Sequence, residues 1–232
     1  MSGPEQLPLP LPALEALGRE DFFVSPANAL AVAQVEAWRD WPSRKMVVYG
    51  PEGSGKTHLA HVWASLSGAR IVEAVALSED SVPGLAEAPA CVENVEAIAG
   101  NAACERALFH LHNLCLAQGH ALLMTAAREP ARWRLGLPDL QSRVQGAQAA
   151  RLSEPDDLLL TMLLAKLLSD HQTQVRPDVI PYLVSHMPRS YRAARALAEA
   201  LSADLAGGEE SGVPAHGRRG PGAAGPRALI AA

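Results

Sequence analysis

The sequence predicts an α/β domain built on a parallel sheet, followed by a small all-helical domain. Three observations carry that prediction. Short β-branched runs alternate with segments of helical apolar spacing between residues 45 and 125, as crossover connections between parallel strands require. The first such run ends in a glycine-rich turn that opens a helix. After Arg151 the strand-like runs cease and only helical segments remain. With 232 residues, 48% of them apolar, the chain can bury the core of one large domain, or of one domain and a small satellite. A wholly disordered protein is excluded.

Taken in order, residues 1–12 contain Pro4, Pro8, Pro10 and Pro12, which remove backbone donors and predict an extended leader. The α/β domain is expected over 13–151. Lys45–Tyr49 (KMVVY) reads as a buried strand, and 56–66 as a helix with Leu59, Val62, Trp63 and Leu66 at helical spacing. A weak strand at 70–74 and a stretch rich in Pro, Gly and Ser come next. Ala90–Glu93 is a strand, and 101–119 a helix whose Cys104, Ala107, Leu108, Leu111 and Cys115 share one face, so these two cysteines read as core. Residues 121–125 form a fourth strand.

The helical domain is expected over 152–206. Ser153, with Pro155 just inside, opens its first helix, and Asp156 and Asp157 suit the positive end of the dipole. Leu158, Leu159, Leu160, Met162, Leu163, Leu164, Leu167 and Leu168 make that helix apolar almost all round, which implies burial on more than one side. Two further helices cover 177–186 and 190–205, the last ending at Gly207 and Gly208. Residues 207–226 hold seven Gly and three Pro, so 207–232 reads as a flexible tail.

The balance of 20 basic against 25 acidic residues, a net charge of −5, argues against a broad basic surface for phosphate backbones. Three cysteines without a CxxC pair suit a reducing compartment. No basic start followed by an apolar run suggests a signal peptide, and no apolar stretch approaches the ~20 residues of a membrane span. A soluble, cytoplasmic protein is the reading.

Gly50, Pro51, Glu52, Gly53, Ser54, Gly55, Lys56 and Thr57 satisfy the P-loop pattern G-x4-G-K-[ST], and His58 follows on the same helix. The pattern lies between strand and helix, as its mechanism demands. The glycines let backbone N–H groups wrap a β-phosphate, the helix dipole adds positive potential, Lys56 supplies a mobile charge, and Thr57 a hydroxyl for Mg²⁺. The bland alternative, a glycine-rich turn, explains neither the lysine nor the threonine. Glu93, at the end of an apolar strand, is the candidate acid beside Mg²⁺. The next residue, Asn94, stands where many ATPases carry a water-activating carboxylate. An amide takes no proton, so self-contained hydrolysis is expected to be slow.

The runs CVENVEAIAG at 91–100, LGLPDLQSR at 135–143 and QLPLP at 6–10 together resemble the Hda and DnaA family of AAA+ proteins. The resemblance spans residues 6 to about 205. It implies an AAA+ P-loop module: a five-stranded parallel sheet with flanking helices and a helical lid, holding ADP or ATP between them. It also implies a tether to the DNA polymerase sliding clamp and stimulation of ATP hydrolysis on DnaA, which limits initiation of DNA replication.

Carried over by motif, Phe23, Val24 and Asn28 lie near the adenine, and Thr125 matches sensor 1, which reads the γ-phosphate. Ala127 stands where relatives carry an acid. Arg143 matches the arginine finger that enters a neighbour's site, and Arg192 matches sensor 2, with Arg189 and Arg195 close by. Gln6, Leu7, Leu9 and Pro10 match the clamp-binding peptide. An extended, proline-rich segment loses less entropy on docking. Alone, Arg143 also reads as a surface salt bridge, and the whole chain as a stand-alone P-loop enzyme such as a small-molecule kinase. The initiator itself is disfavoured because no segment after 207 reads as a DNA-binding domain. Direct sequence-specific DNA binding and membrane association are not expected, and a homo-oligomer is left open.

His58 and His61 lack a third ligand for a metal. His110 and His112 read as exposed, and Arg218 with Arg219 as too small a basic patch for nucleic acid.

Overall fold

A computed structural model describes residues 22–209. The leader residues Gln6, Leu7, Leu9 and Pro10, and the Arg218–Arg219 pair, lie outside them. The element order is α1 (Ala29–Glu36), β1 (Lys45–Tyr49), α2 (Lys56–Ser67), β2 (Arg70–Glu73), α3 (Val82–Leu85), β3 (Ala90–Glu93), α4 (Ala102–Ala117), β4 (Leu122–Ala126), α5 (Pro138–Gln145), β5 (Gln148–Arg151), α6 (Asp157–Asp170), α7 (Val179–His186) and α8 (Tyr191–Glu209). The five strands form one parallel sheet in the order β2-β3-β4-β1-β5.

Alternate residues of each strand feed two separate cores, because successive side chains point to opposite faces. Met46, Val48, Cys91 and Leu123 join α1 and α2 on one face, through Val32, Leu59 and Trp63. Val47, Val92, Leu122 and Met124 join α4 and α5 on the other, through Leu108, Leu111, Leu140 and Val144. Both faces of the central strands are dry, which explains their continuous apolar runs. Trp63 is pinned from outside by Trp41, stacked at 5.4 Å, and by Trp38, edge-on at 6.3 Å. Such ring pairs add about 0.5–1.5 kcal/mol each beyond the area they bury.

α6 to α8 pack on a third core of Leu160, Leu163, Leu164, Val184 and Ala194. α6 begins later than its sequence suggests. Asp156, not Ser153, is the N-cap, its carboxylate accepting from Leu159 N at 2.8 Å. A short aspartate side chain directly before the helix satisfies that donor. Leu159, Leu160, Leu163, Leu164 and Leu168 are buried, but Leu158 is exposed. α8 runs through Gly207 and Gly208 to Glu209. A glycine costs only ~1 kcal/mol in a helix, so two of them weaken the end without having to stop it. Among the described residues, no helix is long and apolar enough to cross a membrane.

Candidate functional site

The site gathers at the C-terminal ends of β1, β3 and β4. Gly50 N donates to Ala126 O at 3.2 Å as the chain leaves β1, and the loop then turns back through Gly53 (φ +76°) and Gly55 (φ +95°) into α2. Left-handed backbone suits glycine, and here there is a second reason for it. A Cβ on Gly53 would strike Ser190, and one on Gly55 would come within 2.8 Å of the Tyr191 ring. Tyr191 N also donates to Gly53 O at 3.0 Å. The helical domain is therefore seated directly on the loop and acts as its lid. Its Arg192 pairs with Glu52 at 2.7 Å, both side chains 78% exposed. Arg189 turns away, to Asp157 and to Pro155 O.

Lys56 folds back into the loop, with Nζ donating to Gly50 O and Pro51 O, each at 2.8 Å. Burial lowers its pKa, opposed by Glu52, Glu96 and Glu93. Strand parity turns Cys91 toward α2, and Glu93, two residues on, shares that face. Glu93 is 5% exposed, and its Oε1 has no hydrogen-bond partner among the described residues. Burial raises its pKa above the usual carboxylate range, while the Thr57 hydroxyl favours the ionised form and Glu73 opposes it.

Thr125 is buried at the end of β4, its hydroxyl accepting from Asn94 N at 3.2 Å. Asn94 adopts φ +56° and donates through Nδ2 to Glu73 at 2.9 Å. Thus Thr57 and Glu93 meet near Lys56, and Thr125 touches the residue that follows Glu93.

The segment before α1 borders the same region. Asn28 accepts from Ser25 N and donates to Phe23 O, both at 2.9 Å, which fixes the turn carrying Phe23 and the exposed Val24. Phe22 packs edge-on against His58 at 4.9 Å, and His58 lies 6.1 Å from Tyr191. Burial pushes the Tyr191 phenol up to about 12, with Asn28 opposing. Beside the loop opens a cavity of about 810 Å³, bordered by Gly50, Pro51, Arg128, Arg151, Asp156 and Arg189.

Arg143 is elsewhere. It lies on α5, on the sheet face opposite α2, and its carbonyl accepts from Lys45 Nζ at 2.8 Å. Lys45 starts β1 and the P-loop follows its end, about 16 Å away at ~3.3 Å per residue. Arg143 is exposed and, among the described residues, makes no side-chain hydrogen bond or ion pair. It cannot serve the phosphates of its own loop, since the sheet stands between. His112, expected at the surface, is buried on α4, with Nε2 3.4 Å from Lys45 Nζ. Sequence reasoning also missed Ser190 and Tyr191, whose only signal was the pair of loop glycines they cover.

No protein-family model matches the chain. Domain III of the replication initiator DnaA from Thermotoga maritima superposes with a TM-score of 0.69 at 21% identity, over 84% of this chain and 91% of that one. The replication initiator DnaA bound to AMPPCP and single-stranded DNA gives 0.64 at 20%, over 82% and 67%. The chain thus has the AAA+ P-loop fold, a parallel five-stranded sheet with flanking helices and a helical domain, as DnaA domain III does. A point mutant of Thermotoga maritima RuvB is similar as well, at 0.61 and 17% identity over 82% and 66% of the two chains.

The AAA+ fold needs a phosphate cradle, and this one suits it. Ser54 Oγ and Glu93 Oε1 are buried around the loop with no hydrogen-bond partner among the described residues. A carboxylate and a threonine hydroxyl side by side are a donor set Mg²⁺ accepts, alongside waters and phosphate oxygens. The raised Glu93 pKa has a sign that can be checked. The folded state holds this proton more tightly than the unfolded chain, so stability falls as pH rises from the ordinary 4.5 through the raised value. Glu93→Gln is expected to raise the melting temperature at neutral pH in chelator, a gain that vanishes below pH ~4, and to abolish tightening of nucleotide by Mg²⁺. Calorimetry and titrations with and without Mg²⁺ measure both. An unchanged melting temperature with Mg²⁺ dependence intact would refute this role for Glu93.

Proposed function

We propose that the chain is a nucleotide-binding AAA+ regulator of DNA replication initiation. Held on the sliding clamp by Gln6, Leu7, Leu9 and Pro10, it promotes hydrolysis of DnaA-bound ATP by supplying Arg143 in trans. The placement of Arg143 carries the reading. A permanently charged, planar fork stands exposed and unpaired among the described residues, on the far side of the sheet from its own P-loop, where it is usable only by another chain.

In this reading the chain's own P-loop holds ADP or ATP through Lys56 and backbone N–H groups, with Thr57 and Glu93 beside Mg²⁺. When bound, the metal neutralises charge shared between phosphate oxygens. Phe23, Val24 and Asn28 face the adenine. His58, next to them on α2, helps wall the pocket, and Thr125 sits toward the terminal phosphate. Arg192 exchanges Glu52 for phosphate. Asn94 keeps intrinsic turnover slow, which suits a bound nucleotide that holds base and lid together.

The test is ATP turnover by DnaA on DNA-loaded clamp, with and without this protein. A rise is expected, and no rise would overturn the reading. Replacing Gln6 and Leu9 by Ala is expected to weaken clamp binding and, with it, the stimulation at limiting protein. Undiminished clamp binding would remove the tether.

A further inference from the structure

We infer that Glu105 and Lys45 are positioning residues for Arg143, gripping both ends of the helix that bears it. The inference rests on the trans role proposed for that arginine. Glu105 on α4 is 2% exposed. Its Oε1 accepts from Gly136 N at 2.9 Å and from Gly100 N at 2.8 Å, and its Oε2 from Leu137 N at 2.7 Å. Gly136 and Leu137 lead directly into α5, which has no side-chain cap of its own. One buried carboxylate therefore ties the entry of α5 to α4 and to the turn after β3.

Lys45 does the matching work at the exit. Gly146 N bonds to Ser142 O, and Ala147 N to Val144 O, so the Arg143 carbonyl is passed over by the chain that follows. Lys45 Nζ takes it at 2.8 Å and stands 3.4 Å from His112 Nε2. His112 Nδ1 in turn lies 3.2 Å from Asn113 Oδ1. A cation at a helix C-terminus is favourably placed. The two apolar anchors of α5, Leu140 and Val144, are both fully buried and set the rotation of the helix. The polar grips act on its backbone at the two ends, and so set its height along the sheet.

A charged grip is a costly way to hold a helix. Burying a carboxylate and an ammonium loses their hydration, and apolar residues of similar volume often stabilise as well or better. Burial raises the Glu105 pKa, but the bonds from Gly136, Gly100 and Leu137 outweigh it, so the group stays ionised. What such bonds supply is direction. Leu140 and Val144 alone permit small slides, whereas three N–H donors on one carboxylate and a carbonyl on one ammonium do not. A misplacement of 1 Å in a catalytic group can cost on the order of 10²-fold, so a group that works inside another chain gains from a fixed base.

Glu105→Gln and Lys45→Met test this in the full-length protein, in the DnaA turnover assay on loaded clamp. Each is expected to lower the maximal stimulated rate about tenfold or more. The protein concentration giving half-maximal stimulation, and ADP binding to the chain's own P-loop, are expected to stay within about twofold. In an Arg143→Ala background neither change is expected to lower the rate further. With Arg143 in place, Lys45→Arg is expected to retain part of the stimulation that Lys45→Met loses.

Full stimulation by a folded Glu105→Gln or Lys45→Met protein would overturn the inference. So would additive losses in the Arg143→Ala background. If neither variant shows a cooperative melt, the grips serve stability rather than position, and the inference is equally overturned. Absence of stimulation by the wild-type protein would instead remove the trans role itself.

Discussion

Under the trans role proposed above, Arg143→Ala is expected to cut the maximal rate of stimulated DnaA ATP turnover by about 10³-fold, returning it to the unstimulated level. A positive charge delivered to a transferring phosphoryl group is worth roughly 10³ to 10⁵ in rate, or about 4 to 7 kcal/mol of barrier. The lower end suits a finger that must also be ordered on arrival. Arg143→Lys is not expected to restore the rate, because an ammonium cannot reproduce the planar fork.

Stability is a separate readout. The Arg143 side chain is exposed and makes no polar contact among the described residues, so its loss should change stability by no more than ~0.5 kcal/mol. Clamp binding should survive too. A protein that binds the clamp, melts normally and no longer stimulates is the expected result. Wild-type stimulation by Arg143→Ala would leave this arginine an ordinary solvated charge on the surface of α5.

How much of this was legible in the sequence depended on whether a residue's partners were near it in the chain. β1, the P-loop and α2 were legible because an apolar run, a glycine loop and a helical apolar spacing follow one another directly. β5 was not. Its sequence, QAAR, holds no β-branched or aromatic residue, and it is a strand because the free edge of β1 pairs with it from Met46 to Tyr49. Only the family resemblance supplied a fifth strand.

His112 was misjudged for a related reason. Helical periodicity marks the face of α4 that packs on the sheet, but not a second face closed by Lys45 and the end of α5. Lys45 meets the Arg143 carbonyl across 98 positions, and Glu105 meets Gly136 and Leu137 across 31 and 32. Their partners are backbone groups, which carry no residue-type signal at all. The choice of Arg192 over Arg189 came from motif position alone; in the structure Arg192 pairs with Glu52 of the loop, while Arg189 pairs with Asp157.

Lys56→Ala is expected to weaken nucleotide binding by about 10²-fold, measured by titration with a fluorescent ADP or ATP analogue. Two charge-assisted bonds to phosphate oxygens would contribute ~3 to 6 kcal/mol if the lysine began in water. It does not begin there, for Nζ already holds Gly50 O and Pro51 O, and those bonds must be released. Its lowered pKa shows that burial already costs the ammonium something, which the phosphates would recover. The two corrections oppose each other, which places the loss near the lower bound of ~3 kcal/mol, or about 10²-fold.

Lys56→Arg should not rescue binding, because a planar guanidinium does not reproduce the compact point charge of the ammonium. An affinity within threefold of wild type would mean that the loop binds something other than a nucleotide phosphate. A large loss of nucleotide with full stimulation of DnaA would separate the two activities, leaving Arg143 sufficient on a lid already seated through Ser190 and Tyr191. Loss of both would mean that the nucleotide in this chain's own P-loop sets the base and lid in the arrangement that presents the finger.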